Sequence, residues 1–322
     1  MWHQAGRYEI LTDFPLHLDI ELSGICNLKC EFCFQNGLIE TPLGLMDFEL
    51  FKKIIDEGRA KGLCAIKLQV RGESFLHPRL FDCIKYAKDA GILDVQITTN
   101  GTLLNEERLQ MILDSGLDGI IFSFDNHHSM SYGNHYKKHV YSDVEEGIRA
   151  FLALRKSRGK KSPWVRVQAS VQPATDDELA RLKLEVRGKY PEADAIDINR
   201  IHDFREDRSP YPDLHTHYTM LPCNYLMQRL TIFWNGDVTT CCVDYNNCFQ
   251  LGNVQKSAIS EIWLSKQMNN LRQMHINGQR KKIRRCKSCV VGILPLASGK
   301  TNNIAECYSP IEIQTLCEME RR

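Results

Sequence analysis

Three cysteines, Cys26, Cys30 and Cys33, stand at C-x3-C-x2-C spacing just past an alternating apolar run of Leu16, Leu18, Ile20 and Leu22. Alternation of that kind marks a strand with one buried face, so the thiols fall in the loop leaving its C-terminal end. Three thiolates can ligate three irons of a [4Fe–4S] cluster and leave the fourth iron open to a reactant. A structural zinc site is instead closed by four ligands; a zinc knuckle or a set of free thiols is the bland alternative. A second set, Cys223, Cys241, Cys286 and Cys289, has C-x17-C-x44-C-x2-C spacing, and Gly236 precedes Cys241 in a G-x4-C pattern. Four thiolates would close a cluster as an electron relay or structural prop. A four-cysteine zinc site is the rival reading.

The elements that must position these thiols follow from periodicity. Short apolar runs at 16–22, 65–70, 95–99, 119–124, 165–171 and 195–199 read as strands, alternating with helical patterns at 47–61, 79–90, 106–115, 142–157 and 176–190. Asp47 and Asn105 suit helix starts, and Gly62, Gly91 and Gly116 helix stops. Strand–helix alternation means parallel strands with right-handed crossovers, and six strands make a partial (β/α)6 TIM-like barrel. Its chemistry belongs at the C-terminal ends of the strands. The expected organisation is an N-terminal extension (1–15), the barrel (16–205), a Pro-rich linker (206–220), a small C-terminal α+β domain (221–291) and a tail (292–322). Within the small domain, runs at 229–233 and 238–242 flank Asn235-Gly236, a hairpin signal, and 259–276 has helical spacing.

Composition narrows the setting. The 322 residues carry 41 basic against 40 acidic side chains, a net charge of +1, which gives no bulk attraction to nucleic acid or membrane. No segment has the length of a membrane span or the shape of a signal peptide, so a cytoplasmic protein with reduced thiols is expected. The odd count of 13 cysteines argues against a fully paired disulfide framework. The basic run 155–161 reads as a solvated helix end and 280–285 as a charged face or a contact for a substrate phosphate, while the histidines 127, 128, 135 and 139 are too irregularly spaced for a metal site and suit substrate contact or plain surface.

The first motif resembles the signature of the radical S-adenosylmethionine (SAM) superfamily, C-x3-C-x-aromatic-C, with Phe32 at the aromatic position. The resemblance implies that Cys26, Cys30 and Cys33 hold a [4Fe–4S] cluster whose open iron is chelated by SAM. Reductive cleavage of SAM then gives a 5′-deoxyadenosyl radical that abstracts hydrogen from substrate. Arg71-Gly72-Glu73-Ser74 is similar to the family's Gly-Gly-Glu-Pro turn, which implies that Glu73 receives the SAM amino group; Gly72 matches, whereas Arg71 and Ser74 depart. Asn100, in Asn100-Gly101 after the third strand, takes the family's ribose-contacting position. Ser123 and Asp125 after the fourth strand, and Gln168 on the fifth, suit SAM or substrate contact; helix capping serves equally for the first two. The second set of cysteines resembles the Twitch module, the short form of the SPASM extension, which implies an auxiliary [4Fe–4S] cluster on Cys223, Cys241, Cys286 and Cys289.

These resemblances imply oxidation or epimerisation of a carbon in a sugar-like, cyclitol or aminoglycoside-type substrate, with an electron donor such as flavodoxin or ferredoxin. Cys242 and Cys248 are the thiols left over near the auxiliary set. Either could return a hydrogen atom to a substrate radical and make an epimer, or be a small buried hydrophobe. A maturase acting on a short ribosomal peptide is the alternative enzyme, disfavoured by the few residues before the first strand. A non-catalytic metal-binding interaction protein is the alternative from another class.

Overall fold

The computed structural model describes residues 12–30, 33–35, 39–123, 138–171, 175–200, 222–287 and 289. Six parallel strands, β1 (His17–Ile20), β2 (Ala65–Lys67), β3 (Asp94–Thr99), β4 (Gly119–Ser123), β5 (Trp164–Val171) and β6 (Ala195–Arg200), alternate with five long helices. These are α1 (Phe48–Lys61), α2 (Leu80–Asp89), α3 (Glu106–Asp114), α4 (Lys138–Ser157) and α5 (Asp176–Lys189). The helix ends follow the expected chemistry. Asp47 accepts from the Glu49 and Leu50 amides, Asn105 from the Arg108 amide, and Gly62, Gly91 and Gly116 all take positive φ. Strand residues pointing toward the helices, among them Leu18, Ile20, Ile66, Val95, Ile97, Phe122 and Val167, join Phe51, Ile54, Ile84, Ile112 and Phe151 in one core. Burying a side chain of this size contributes about 1.5–3 kcal/mol each, which makes this face the one that fixes strand register.

The sheet does not stop at six strands. Its order is β6-β5-β4-β3-β2-β1-β7-β8-β9, open rather than closed. Here β7 is Arg229–Ile232, β8 Asp237–Thr239 and β9 Gly252–Asn253. β7 runs parallel to β1 in the register His17↔Arg229 to Ile20↔Ile232. β8 and β9 follow as antiparallel partners. The Asn235-Gly236 hairpin is present, with Gly236 at φ 84°, but it prolongs the barrel sheet. The second strand of that hairpin ends at Thr239, short of the expected 242, because the Asp244 amide turns back to the Cys241 carbonyl at 3.0 Å. The periodic stretch 259–276 forms two helices where one was expected. After α6 (Asn224–Gln228) come α7 (Ile259–Trp263) and α8 (Lys266–Ile276), separated where Ser265 caps the Met268 amide.

The basic runs are largely exposed faces, as expected, apart from one buried arginine in each. Arg155 is buried and donates to the Pro163 and Glu192 carbonyls and to Asp194. Arg280, also buried, serves the cysteine loop described below. The linker 206–220, the tail 292–322 and histidines 127, 128 and 135 lie outside the described residues. Among the described residues no helix is long and apolar enough to cross a membrane.

Candidate cofactor and metal centre

The loop carrying Cys26, Cys30 and Cys33 leaves β1 at the C-terminal edge of the sheet, and all three thiols are half-exposed. The Ser23 hydroxyl fixes its first turn by donating to the Ile25 carbonyl (2.9 Å) and accepting from the Ile25 amide (3.2 Å). The Leu28 amide donates to Cys26 Sγ at 3.4 Å. Burial pushes the Cys26 thiol up to about 11, with the nearby Glu73 and Cys33 adding to the shift. Iron must therefore displace a proton on binding. Phe32 lies outside the described residues.

The 71–74 turn packs directly on this loop. A Cβ at Gly72 would stand 2.3 Å from the Ser23 carbonyl oxygen and 2.4 Å from that of Ile25, so only glycine permits the approach. The Glu73 amide then donates to the Ile25 carbonyl at 2.9 Å. The buried Glu73 carboxylate accepts from the Phe75 amide (3.0 Å), the Thr99 hydroxyl (2.8 Å) and the Asn100 amide (2.8 Å). Burial raises its pKa against these three donors. A carboxylate has about four acceptor sites, and the protein donors take two on Oε1 and one on Oε2. Asn100 Nδ2 reaches Asn27 Oδ1 (3.0 Å) and Cys26 Sγ (3.8 Å), while its Oδ1 accepts from Thr102. Cysteine loop, turn and Asn100 are thus one hydrogen-bonded unit.

The two departures from the family turn have structural work. Ser74 donates to the Leu68 and Thr98 carbonyls, both at 2.9 Å. Arg71 makes a bidentate pair with Glu21 (2.6 Å for each contact), both side chains buried, and donates to Thr41 Oγ1 and the Tyr245 carbonyl. Its guanidinium lies 4.2 Å from the Phe233 ring centroid. Nothing in the sequence pattern marked Glu21, Phe233 or Tyr245. Register pairs Ser123 with Gln168, and Gln168 with Asp197, giving a row of half-exposed polar side chains inside the barrel. Asp125 lies outside the described residues.

The second cysteine set gathers beside β7 and β8. Burial, then the neighbouring thiols of Cys242, Cys223, Cys289 and Cys286, push Cys241 far up; burial, Cys223 and Cys289 do the same to Cys286. Cys223, Cys286 and Cys289 thus all lie within electrostatic reach of Cys241. Among the described residues no three His, Cys, Asp or Glu side chains close on a single ion. In a four-iron cluster each thiolate meets its own iron, so thiols surround a volume instead of meeting at a point, and an all-thiolate donor set suits it. Three side chains that the cysteine spacing did not reveal hold the loops. His275 Nδ1 accepts from the Cys223 amide at 3.2 Å. Arg280 donates to the Cys286 and Cys289 carbonyls. Asp244 accepts from the Cys248 and Phe249 amides and from the Thr239 hydroxyl.

The two spare thiols differ. Cys242 is half-exposed and feels the charges of Asp19, Lys67 and Arg229 inside the barrel. Cys248 is exposed and clasped by the Arg285 guanidinium, at 3.3 Å from Nε and 3.2 Å from Nη2. The two cysteine-bearing regions also touch. Phe34, next to Cys33, stacks on Tyr245 with centroids 4.9 Å apart and planes 6° from parallel, and Arg285 lies 4.8 Å from the same Tyr245 ring.

A cavity of ≈ 550 Å³ between α1 and the β7–β8 turn, lined by Leu45, Leu50, Lys53, Trp234 and Gln255 among others, contains none of these cysteines.

The chain matches known families and folds. The Radical SAM superfamily pattern matches residues 20–185, and SPASM, an iron–sulfur cluster-binding domain, matches 223–290. The chain is 27% identical over 294 residues to a tungsten-containing aldehyde ferredoxin oxidoreductase cofactor-modifying protein of Pyrococcus furiosus, covering 77% of this chain and 81% of that one. It is 34% identical over 141 residues to a probable GTP 3′,8-cyclase of Methanococcus maripaludis, covering 40% of this chain and 47% of that one. In fold it is similar to BtrN in complex with AdoMet and 2-DOIA, with a TM-score of 0.58 and 18% identity over 92% of this chain and 96% of that one. It is also similar to anSMEcpe with bound AdoMet, with a TM-score of 0.61 and 17% identity over 85% and 88%. The chain therefore belongs to the radical SAM superfamily, as an enzyme with a C-terminal SPASM iron–sulfur domain.

Proposed function

We propose that Cys26, Cys30 and Cys33 hold the SAM-binding [4Fe–4S] cluster, that Cys223, Cys241, Cys286 and Cys289 hold a closed auxiliary cluster, and that the enzyme oxidises or epimerises a carbon bearing a hydroxyl or amine in a sugar-like, cyclitol or aminoglycoside-type substrate. The observation that carries the cofactor assignment is the direct packing of the 71–74 turn and Asn100 on the Cys26 loop. Bound together, cluster and SAM supply reductive cleavage of the sulfonium and removal of a hydrogen atom from a substrate C–H bond, with the electron coming from a donor such as flavodoxin or ferredoxin. The remaining acceptor site on Glu73 Oε2 suits the SAM ammonium, and Asn100 the ribose. Ser123 and Gln168, register partners on β4 and β5, would face the chamber where substrate meets SAM. The substrate class is supported by the polar interior and by the near full-length fold likeness to BtrN.

Between the two outcomes, Cys242 is the better-placed hydrogen donor, because it faces the barrel charges while Cys248 is held outside by Arg285. Return of a hydrogen atom from the Cys242 thiol would give an epimer and a thiyl radical that the external donor's electron and a proton restore; without it, loss of an electron to the auxiliary cluster and of a proton to solvent would give the oxidised product. A peptide maturase is the second reading, favoured by 33% identity over 116 residues to the Bacillus subtilis subtilosin biosynthesis protein AlbA.

Anaerobic reconstitution tests the assignment. Wild type should hold about eight irons and release 5′-deoxyadenosine on reduction with SAM, and joint Cys→Ala replacement of Cys26, Cys30 and Cys33 should leave about four irons and no product. Undiminished 5′-deoxyadenosine from that variant would falsify it. For the epimerase branch, Cys242→Ala in deuterated water should lose solvent deuterium at the reacting carbon; unchanged labelling removes Cys242 from the reaction.

A further inference from the structure

The two cysteine-bearing regions lie far apart in the chain and converge on one buried side chain, Tyr245. From the C-terminal region it is set by two loops. The Asp244 amide donates to the Cys241 carbonyl at 3.0 Å. The Asp244 carboxylate then accepts from the Thr239 hydroxyl and from the Cys248 and Phe249 amides, which pins the chain on either side of Tyr245. Arg285, the residue before Cys286, brings its guanidinium to 4.8 Å from the Tyr245 ring centroid and its Nη1 to 3.3 Å from the Tyr245 hydroxyl. Its Nε also lies 3.8 Å from Asp244 Oδ1. Tyr245 therefore follows the placement of the Cys241 and Cys286 loops together.

From the N-terminal region the same residue is met twice. Phe34, the residue after Cys33, lies flat on its ring, with centroids 4.9 Å apart and planes 6° from parallel. Arg71 Nη1 donates to its backbone carbonyl at 3.1 Å. Arg71 opens the turn whose Gly72 and Glu73 pack on the Cys26 loop. Gln35 closes the circuit, because its Nε2 donates to the carbonyls of Gly24 (2.8 Å) and Arg71. A shift of Tyr245 would thus displace both Phe34, one residue from Cys33, and the guanidinium that begins the Glu73 turn. A stacked ring pair and a cation over a ring are each modest alone. Here they share one rigid side chain, and interactions that share a partner do not act independently. The cofactor assignment gives Tyr245 no contact with iron or SAM; what the residue has is its place between the two sites.

We propose that Tyr245 is a positioning residue that couples the two proposed cofactor sites. With the Cys241 and Cys286 loops fixed around the auxiliary cluster, Tyr245 holds Phe34 and Arg71 in place. Through them it keeps the Cys33 end of the first cysteine loop and the Glu73 turn in the arrangement that accepts SAM. The inference rests on the two-cluster reading above and deepens it.

The test is SAM titration of the anaerobically reconstituted full chain, followed by the SAM-induced change in the electron paramagnetic resonance spectrum of the reduced protein. Iron is counted in every sample. Tyr245→Leu removes the ring and keeps the backbone carbonyl, Tyr245→Phe keeps the stack, and joint Cys286→Ala and Cys289→Ala removes the auxiliary cluster. With about eight irons still bound, Tyr245→Leu should weaken SAM about 3- to 10-fold. Tyr245→Phe should recover most of that loss. The double-alanine variant, with about four irons, should weaken SAM at least as much, and adding Tyr245→Leu to it should change little more, because the relay is already cut. Should Tyr245→Leu load poorly, Phe34→Leu removes the same stack from the other side and carries the same expectation. Where the double-alanine variant does not fold, the leucine and phenylalanine variants decide alone. Unchanged SAM affinity in the loaded leucine variants overturns the proposal. So do two full, multiplicative losses in the combined variant, since Tyr245 would then act on the SAM site without the auxiliary cluster. A wild type whose spectrum ignores SAM instead sinks the cofactor reading itself, whatever the Tyr245 variants do.

Discussion

Gly72→Ala is the sharpest perturbation of the proposed SAM site. The added Cβ would meet the Ser23 and Ile25 carbonyl oxygens at 2.3 and 2.4 Å and the Gly24 carbonyl carbon at 2.8 Å. All three are backbone atoms and cannot rotate away. Restoring ordinary contact at about 3.4 Å requires the turn and the cysteine loop to separate by about 1 Å, which breaks the 2.9 Å bond from the Glu73 amide to the Ile25 carbonyl. Overpacking of this kind costs about 1–3 kcal/mol of stability. A misplacement of about 1 Å at a reacting centre costs about 10²-fold in rate. Reductive 5′-deoxyadenosine formation should therefore fall about 10²-fold, with the SAM-induced spectral change lost and auxiliary iron retained. Gly188→Ala is the control, because its Cβ would meet nothing within 4 Å and it lies in α5; it should be neutral or stabilise by up to about 1 kcal/mol. If Gly72→Ala cleaves SAM at the wild-type rate, the close approach does not position the cofactor and the reading of this turn is wrong.

Arg71→Met strands the buried Glu21 carboxylate, and breaking such a pair costs about 3–5 kcal/mol. Adding Glu21→Leu should recover a good part of the lost melting temperature, and a double variant no better than the single would refute the pairing. Burial, then Arg229, pushes the His17 imidazole down to about 4. The unfolded chain takes up that proton near pH 6.5 and the folded one only near 4, so stability is lost as pH falls through this window and levels off below it. His17→Gln should flatten that part of a melting-temperature profile; a profile identical to wild type would remove His17 as the cause. Arg280→Met should leave the Cys286 and Cys289 carbonyls without their donor and lower auxiliary iron retention during gel filtration, with iron counted before and after.

The barrel was legible because its signals are local. Strand alternation, the Asp47 and Asn105 caps and the glycine stops each act within a few residues, and all appear at or beside the expected positions. The two proposed cysteine sets were drawn from spacing and family resemblance. What sequence could not reveal depends on partners distant in the chain. Arg71 looked like a defect in a family turn, and its reason, Glu21 with Phe233 and Tyr245, is up to 174 residues away. Arg280 read as a surface charge because nothing nearby in sequence shows that two cysteine-loop carbonyls need a donor. The 259–276 stretch kept helical periodicity through its break, and only the Ser265 cap marks the division.

The parallel pairing of β7 along β1 has a consequence for the chain cut short. A fragment ending near residue 200 would keep every strand from β1 to β6 yet uncover the outer backbone of β1, a fully buried segment in the intact protein. Bare apolar borders of that sort recruit other chains. Such a fragment would self-associate instead of working as a smaller enzyme, which makes the C-terminal iron–sulfur region a seam in the barrel wall.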